Sequence, residues 1–189
     1  MKQIKTIAIA LLVVFSTATV SAQTKQIDVA KSKINWVGKK VTGKHEGTVN
    51  LTEGSLTFKS KALVGGTFTV DMNSITVTDL KAGEGKEKLE KHLKSDDFFG
   101  SDKYPTSKLY FKTVKPNGAN KYTVTGNLTI KEKTNPITFD LVVNGNTATA
   151  KLVIDRSKYD VKYNSTSFFD SLGDKAIYDD FDLEVTLQF

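Results

Sequence analysis

The stretch KYTVTGNLTIKEKTNPITFDLVVNGNTATAKLVID, residues 121–155, decides the fold. Tyr122, Val124, Gly126, Leu128 and Ile130 fall on one side of an alternation whose other side is Thr123, Thr125, Asn127 and Thr129. Ile137, Phe139, Leu141 and Val143 repeat the pattern, and after the turn pair Asn144-Gly145 so do Ala148, Ala150, Leu152 and Ile154. A period of two with one polar face is the signature of antiparallel strands that bury a single side.

Downstream, Phe181, Leu183, Val185, Leu187 and Phe189 alternate with Asp182, Glu184, Thr186 and Gln188 to give the last strand. Upstream, four more strands are predicted at about 33–41, 46–59, 62–72 and 107–116. The fold class is therefore all-β, with eight antiparallel strands in an up-and-down barrel. Ser60-Lys61, Asn117-Gly118 and Asn144-Gly145 are tight-turn material, so the second and third, fourth and fifth, and sixth and seventh strands form hairpins. In a meander these turns share one end. The other four connections, near Thr42 to His45, Asp79 to Thr106, Lys131 to Pro136 and Arg156 to Ile177, gather at the opposite end, which carries the two long insertions and both histidines.

The insertion between the third and fourth strands predicts one short helix. Glu84 and Lys88, Glu87 and Lys91, and Glu90 and Lys94 are spaced i,i+4 in the favourable order, and Leu89 and Leu93 form a short apolar face. Exposed pairs of this kind add only about 0.2 to 0.5 kcal/mol each, so docking of the leucines must hold the helix.

Residues 1–22 read as a secretory signal: Lys2 and Lys5, an apolar run from Ile7 to Phe15, then Val20-Ser21-Ala22. Cleavage near Ala22 leaves residues 23–189 as a single domain, expected in the periplasm or secreted. The chain has no cysteine, which excludes disulfides, thiolate metal sites and an acylated N-terminal cysteine. Its formal charge of +6 falls by two when Lys2 and Lys5 leave. The remaining lysines are interleaved with Asp, Glu and Thr, a solvated surface and not a nucleic-acid stripe. No compact lysine run or second apolar span provides a dedicated membrane anchor.

His45 and His92 lack HExxH spacing, and a zinc site would need both of them plus a carboxylate such as Glu46 or Asp96. Hydrogen bonds that order the barrel mouth, or contact with a ligand's polar head, are the other roles open to them; no metal and no catalytic residue is assigned. Gly83-Glu84-Gly85-Lys86 lacks Walker spacing, and no GxSxG elbow exists. Asp155-Arg156 reads as an Arg-carboxylate clamp on the second insertion or as a ligand contact. Phe98 and Phe99 in one insertion, and Phe168 and Phe169 in the other, either plug the lumen or line its entrance as a joint lid.

Trp36 with Gly43-Lys44-His45-Glu46-Gly47, the stretch HLKSDDFF at 92–99, Tyr104-Pro105, Gly126 to Lys131 and Ile154-Asp155-Arg156-Ser157 resemble, in order, the YceI-like proteins. The resemblance covers nearly all of residues 23–189. It implies a lipocalin-like barrel whose lumen holds a long apolar chain: a polyisoprenoid, an isoprenoid quinone or a fatty-acid derivative. It therefore also implies a bacterial periplasmic or secreted carrier. Two departures stand at the elaborated end, Glu132 where a turn glycine is frequent and Asp160 where glycine often follows the tyrosine.

An eight-stranded barrel is near the size at which side chains fill the interior or leave room for one ligand. Ala148, Ala150 and Gly126 favour a retained cavity; Trp36, Phe68, Phe111, Phe139 and Phe181 give it an aromatic wall. With Leu128, Leu141, Ala150 and Ile154 on the strands, and His45, Leu89, His92, Leu93, Phe98, Phe99, Arg156, Phe168 and Phe169 at the mouth, these form the expected ligand-binding set. Non-catalytic binding, carriage or storage is the function this predicts, without a cofactor, the bound chain being the ligand. An enzyme using His45 or His92 as general base on a lipid-like substrate, and a filled barrel acting through its surface as an envelope-stress factor, are the rivals. The oligomeric state is open, a homodimer included.

Overall fold

A short strand, β1 (Ala22–Gln26), leads into eight that go round a barrel: β2 (Lys33–Lys40), β3 (Gly43–Lys59), β4 (Ala62–Val77), β5 (Thr106–Pro116), β6 (Lys121–Ile130), β7 (Lys133–Asn144), β8 (Thr147–Asp155) and β9 (Ile177–Gln188). These elements come from a computed structural model that describes residues 21–189; the predicted signal segment, apart from Ser21 and Ala22, lies outside the described residues. Every barrel strand is antiparallel to its sequence neighbour, and β9 closes on β2 with Ile34 opposite Val185 and Gly38 opposite Phe181. The sequence pattern predicts eight strands; the additional β1 shares a barrel position with β2. Both pair with the 17-residue β3, β2 along Gly43 to Val49 and β1 along Ser55 to Lys59. Between them the chain turns at Asp28, whose carbonyl accepts from Ser32 Oγ at 2.8 Å.

The connections separate by parity as the sequence predicts. Ser60 and Lys61 both adopt left-handed backbone (φ 50° and 68°), the conformation of a two-residue hairpin turn that follows strand twist. Lys131 and Glu132 do the same at the other end (φ 48° and 59°). That second turn corrects the predicted loop from Lys131 to Pro136: β7 begins at Lys133, and Pro136 lies inside the strand opposite Asn127. Proline is tolerated there because β7 and β8 pair only from Leu141 to Asn144, leaving the Pro136 part of β7 as a local edge that needs no N–H donor. The third predicted strand is also extended, since β4 runs past residue 72 to Val77 through a register shift against β3 between the Asn50–Asp71 and Thr48–Thr76 pairs.

The one α-helix among the described residues, α1 (Lys86–Lys94), lies in the β4–β5 connection and packs against β4. Its glutamates do not make the predicted i,i+4 pairs. Glu84 precedes the helix, Glu87 accepts from Gly83 N–H at 3.1 Å, and Glu90 accepts from Val77 N–H at 2.8 Å. A carboxylate that satisfies a strand-end N–H stabilises more than an exposed ion pair with a mobile lysine.

Candidate functional site

Inward-facing residues fill one half of the barrel and leave the other hollow. Toward the three predicted hairpin turns, Leu56, Leu63, Val124 and Ala148 are fully or almost fully buried, and the Phe58 and Phe189 rings pack 5.7 Å apart. Toward α1 the same alternation encloses a cavity of about 190 Å³. Trp36, Leu183 and Val185 face inward yet are only half-buried, because one side of each borders empty space.

Of the predicted wall, Trp36, Phe68, Phe111, Phe139 and Phe181 all line the cavity, as do Leu128, Leu141, Ala150 and Ile154 on the strands. Leu93, Phe98, Phe99 and Arg156 border it at the α1 end. Gly66 and Gly54 allow this aromatic packing: a Cβ at Gly66 would lie 2.9 Å from the Phe111 ring, and one at Gly54 2.8 Å from the Phe68 ring. Met72, Ile75 and Tyr178 also border the cavity. The first two lie at or beyond the predicted end of their strand, where the β4 register shift erases a simple alternation, and Tyr178 lies in the predicted loop boundary.

Five predicted residues lie elsewhere. Leu89 packs on the core without reaching the cavity. His45 is on the rim, its Nδ1 2.9 Å from Asp79 Oδ2. His92 packs edge-on against Phe98 and Tyr163, with ring centroids 5.7 and 4.4 Å away, and its buried Nε2 has no hydrogen-bond partner. The mouth-ordering hydrogen bond is therefore made by His45 alone; His92 orders the mouth by packing. The two histidines do not converge with a carboxylate on a zinc site.

Phe168 and Phe169 do not join Phe98 and Phe99 in a lid. They are 42% and 50% exposed and absent from the cavity wall. The reason is a turn at the fully buried Ser165, whose carbonyl accepts both phenylalanine N–H groups at 3.1 and 3.0 Å and so turns their side chains outward. Tyr163 takes the expected place against Phe98. Of the small residues expected to keep the lumen open, only Ala150 borders the cavity; Ala148 belongs to the filled half, and Gly126 is used by the close approach of Tyr110 O, 2.9 Å from where its Cβ would be.

Two polar side chains at the cavity, Ser107 and Arg156, are already engaged by the protein. Ser107 Oγ donates to Thr129 O at 2.8 Å. Arg156, 3% exposed, donates from Nε to Tyr178 O, from Nη1 to Val161 O and Tyr163 O, and from Nη2 to Ile177 O, at 2.9 to 3.1 Å. Its carboxylate partner is Asp179, 3.4 Å away, not the adjacent Asp155, which accepts from Ser157 N–H and Oγ. Burial lowers the Arg156 pKa, and Asp179 and Asp155 oppose that shift. Its carbon Cζ stands 5.4 Å over the Phe98 ring. Lys131 ties the three connections together, donating to Phe98 O and Asp160 O at 3.0 Å each; burial pushes its pKa down.

Burial alone would raise the Asp79 pKa, but the Glu46 N–H and the His45 ring outweigh it and hold the carboxyl below the ordinary 3.8. Its tether is present above the unfolded pKa and is lost as pH falls through the lower folded value. Acid titration by NMR should show the Glu46 amide, 3.1 Å from Asp79 Oδ1, shifting with a midpoint below 3.8. A midpoint at or above that value, or no shift of this amide, would count against the tether.

An antiparallel barrel that is half packed and half hollow, with its helix and long insertions at the hollow end, is of the lipocalin-like class. The chain belongs to the YceI-like domain family, whose profile matches residues 26–189. It is 31% identical over 99 residues to a UPF0312 protein of Pseudomonas putida, covering 52% of this chain and 49% of that one. It is 41% identical over 86 residues to a UPF0312 protein of Staphylococcus aureus, covering 40% and 47%. The matched segments span about half the length of these curated relatives. Among solved structures, Burkholderia cenocepacia BcnA superposes with a TM-score of 0.68 at 26% identity, over 85% of this chain and 98% of that one. A polyisoprenoid binding domain from Saccharophagus degradans gives 0.58 at 13% identity over 89% and 97%, a likeness of fold. Glu132 and Asp160, the departures from the family pattern, both adopt left-handed backbone, φ 59° and 61°, the conformation that favours glycine.

Proposed function

We propose that this protein binds, and carries or stores, a single long-chain apolar molecule in the hollow half of its barrel, without catalysing a reaction. The observation that carries this reading is the continuous apolar cavity. Its lining extends along β9 from Ile177 to Leu187, roughly 30 Å of strand at 3.3 Å per residue. An elongated, narrow apolar wall of this kind suits one extended chain and not a bulky ring system; the volume of about 190 Å³ takes up part of such a chain, so the half-buried wall residues must move apart to take it whole. A polyisoprenoid, the tail of an isoprenoid quinone or a fatty-acid derivative has that form. The polyisoprenoid-binding function of the Saccharophagus neighbour and membership of the YceI-like family support the same class.

Burial of a fifteen-carbon chain at about 0.8 kcal/mol per methylene gives on the order of 12 kcal/mol, against association and ordering costs of about 4 to 15 kcal/mol. Tail burial on that scale supports micromolar binding at the favourable end of those costs once the cavity has widened to take the whole chain. Both candidate general bases, His45 and His92, lie outside the lining, and Ser107 and Arg156 are bonded to main-chain carbonyls. These placements favour binding over turnover, and the reading needs no metal or cofactor. Reading residues 1–22 as an export signal places the carrier in the periplasm or outside the cell. Mass spectrometry of an organic extract from protein purified out of its native compartment should find one stoichiometric apolar chain, and incubation with that compound should leave it unchanged. Protein that is stoichiometrically empty and binds no long-chain probe would refute the carrier; a chemically altered compound would make it an enzyme.

A further inference from the structure

We propose that the outward-facing aromatic rim beside the cavity mouth is a docking surface for the interfacial region of a lipid bilayer, with Phe168 and Phe169 as its inserting residues. This deepens the carrier reading and rests on it for its purpose, though not for its test. Val41, Tyr163, Phe168, Phe169 and Tyr178 are between 38% and 53% exposed, and the backbone brings them together. Val41 N–H donates to Ala176 O, and Ile177 N–H to Asn164 O. Ser167 Oγ donates to Asp179 Oδ2 at 2.6 Å, placing Phe168 one residue beyond a contact with the neighbour of the cavity-lining Tyr178.

The exposure is fixed by the turn. Ser167 N–H bonds Ser165 Oγ, both phenylalanine N–H groups bond Ser165 O, and Arg156 holds Tyr163 O from beneath. The two rings therefore cannot fold back into the cavity without breaking a buried network. Adjacent exposed phenylalanines held in this way call for a covering partner.

Charge selects which partner. Between Ser157 and Ala176, Lys158, Lys162 and Lys175 are matched by Asp160, Asp170 and Asp174, and Lys162 is paired with Asp160 at 2.8 Å. A loop with no net charge that presents aromatics suits the interfacial region of a zwitterionic bilayer, where Trp and Tyr concentrate and Phe serves on the buried face of surface-bound segments, more than a polybasic contact with anionic lipid. The rim also borders the end of the cavity at which the chain must enter. Docking there would let an apolar chain pass between bilayer and lumen without crossing water.

The test is flotation of ligand-free protein with phosphatidylcholine vesicles, with and without phosphatidylglycerol. The protein should float with phosphatidylcholine alone, and anionic lipid should change the bound fraction less than twofold. The double variant Phe168→Ser, Phe169→Ser should lower partitioning at least tenfold while melting with the parent, and Phe168→Trp, Phe169→Trp should retain it. If the double Ser variant misfolds, Phe169→Ser alone should still lose most of the flotation. Equal flotation of a folded Ser variant and the parent would overturn the proposal, as would flotation only on anionic vesicles. A dimer in analytical ultracentrifugation that the Ser changes dissolve would assign the patch to a second copy instead. These outcomes are independent of whether the lumen holds a chain, which the extract decides.

Discussion

Replacing Arg156 with Met should cost about 3 to 5 kcal/mol of folding stability, the range for removing one partner of a buried charge pair. The side chain is 3% exposed and serves four main-chain carbonyls as well as Asp179. Methionine matches much of the volume but leaves those acceptors without a donor and Asp179 without its counter-charge, with only Ser167 Oγ still donating to its Oδ2, and each unmet buried group carries its own desolvation penalty. Typical domains are stable by about 5 to 15 kcal/mol, so the loss would be a large share of the total. Lysine at this position should recover little, because an ammonium cannot span carbonyls that a planar guanidinium reaches from three nitrogens. Adding Asp179→Asn to Arg156→Met should return part of the loss by removing the orphaned charge. Urea unfolding would measure all three variants; a Met variant within about 1 kcal/mol of the parent would show that the clamp is not a stability element.

The barrel was legible because its determinants are local. Alternation along 121–155 sets the inward face, and pairs such as Ser60-Lys61 and Asn144-Gly145 set which connections share an end, although the second turn falls one residue later, on Gly145-Asn146. The filled half and the hollow half were not legible, since Val124 and Leu128 belong to one uninterrupted pattern and only their cross-barrel neighbours decide which one meets another side chain. The Arg156 clamp shows the same limit. Its sequence neighbour Asp155 suggested the pairing, but the carboxylate partner is Asp179, which with the Ile177 and Tyr178 carbonyls reaches the guanidinium only when β9 returns. Phe168 and Phe169 are the clearest case: hydrophobicity and connection parity correctly place them at the mouth end, but the buried turn at Ser165 decides the direction in which they point. The glutamates of α1 failed for a related reason, since helical spacing cannot reveal that Val77 ends its strand with an N–H in need of an acceptor.

Replacing Ala150 with Trp should abolish binding of a long-chain fluorescent fatty-acid or isoprenoid probe, with affinity falling on the order of a hundredfold, about 2.7 kcal/mol. Ala150 faces the cavity opposite Leu141, close to where the hollow half meets the filled half. An indole there occupies space that a ligand tail needs. Over-packing a tight core costs about 1 to 3 kcal/mol; here the new ring enters existing space, so the cost to folding should fall at the low end and the β-sheet circular dichroism should persist. The loss should grow with probe length, because short chains can still occupy the portion nearer Leu93, Phe98 and Phe99. Val153→Trp is the matched control: it lies on the same strand but on the opposite face, 64% exposed, and should bind every probe as the parent does. Normal binding by a folded Ala150→Trp variant, or equal damage from Val153→Trp, would move the ligand site out of the lumen.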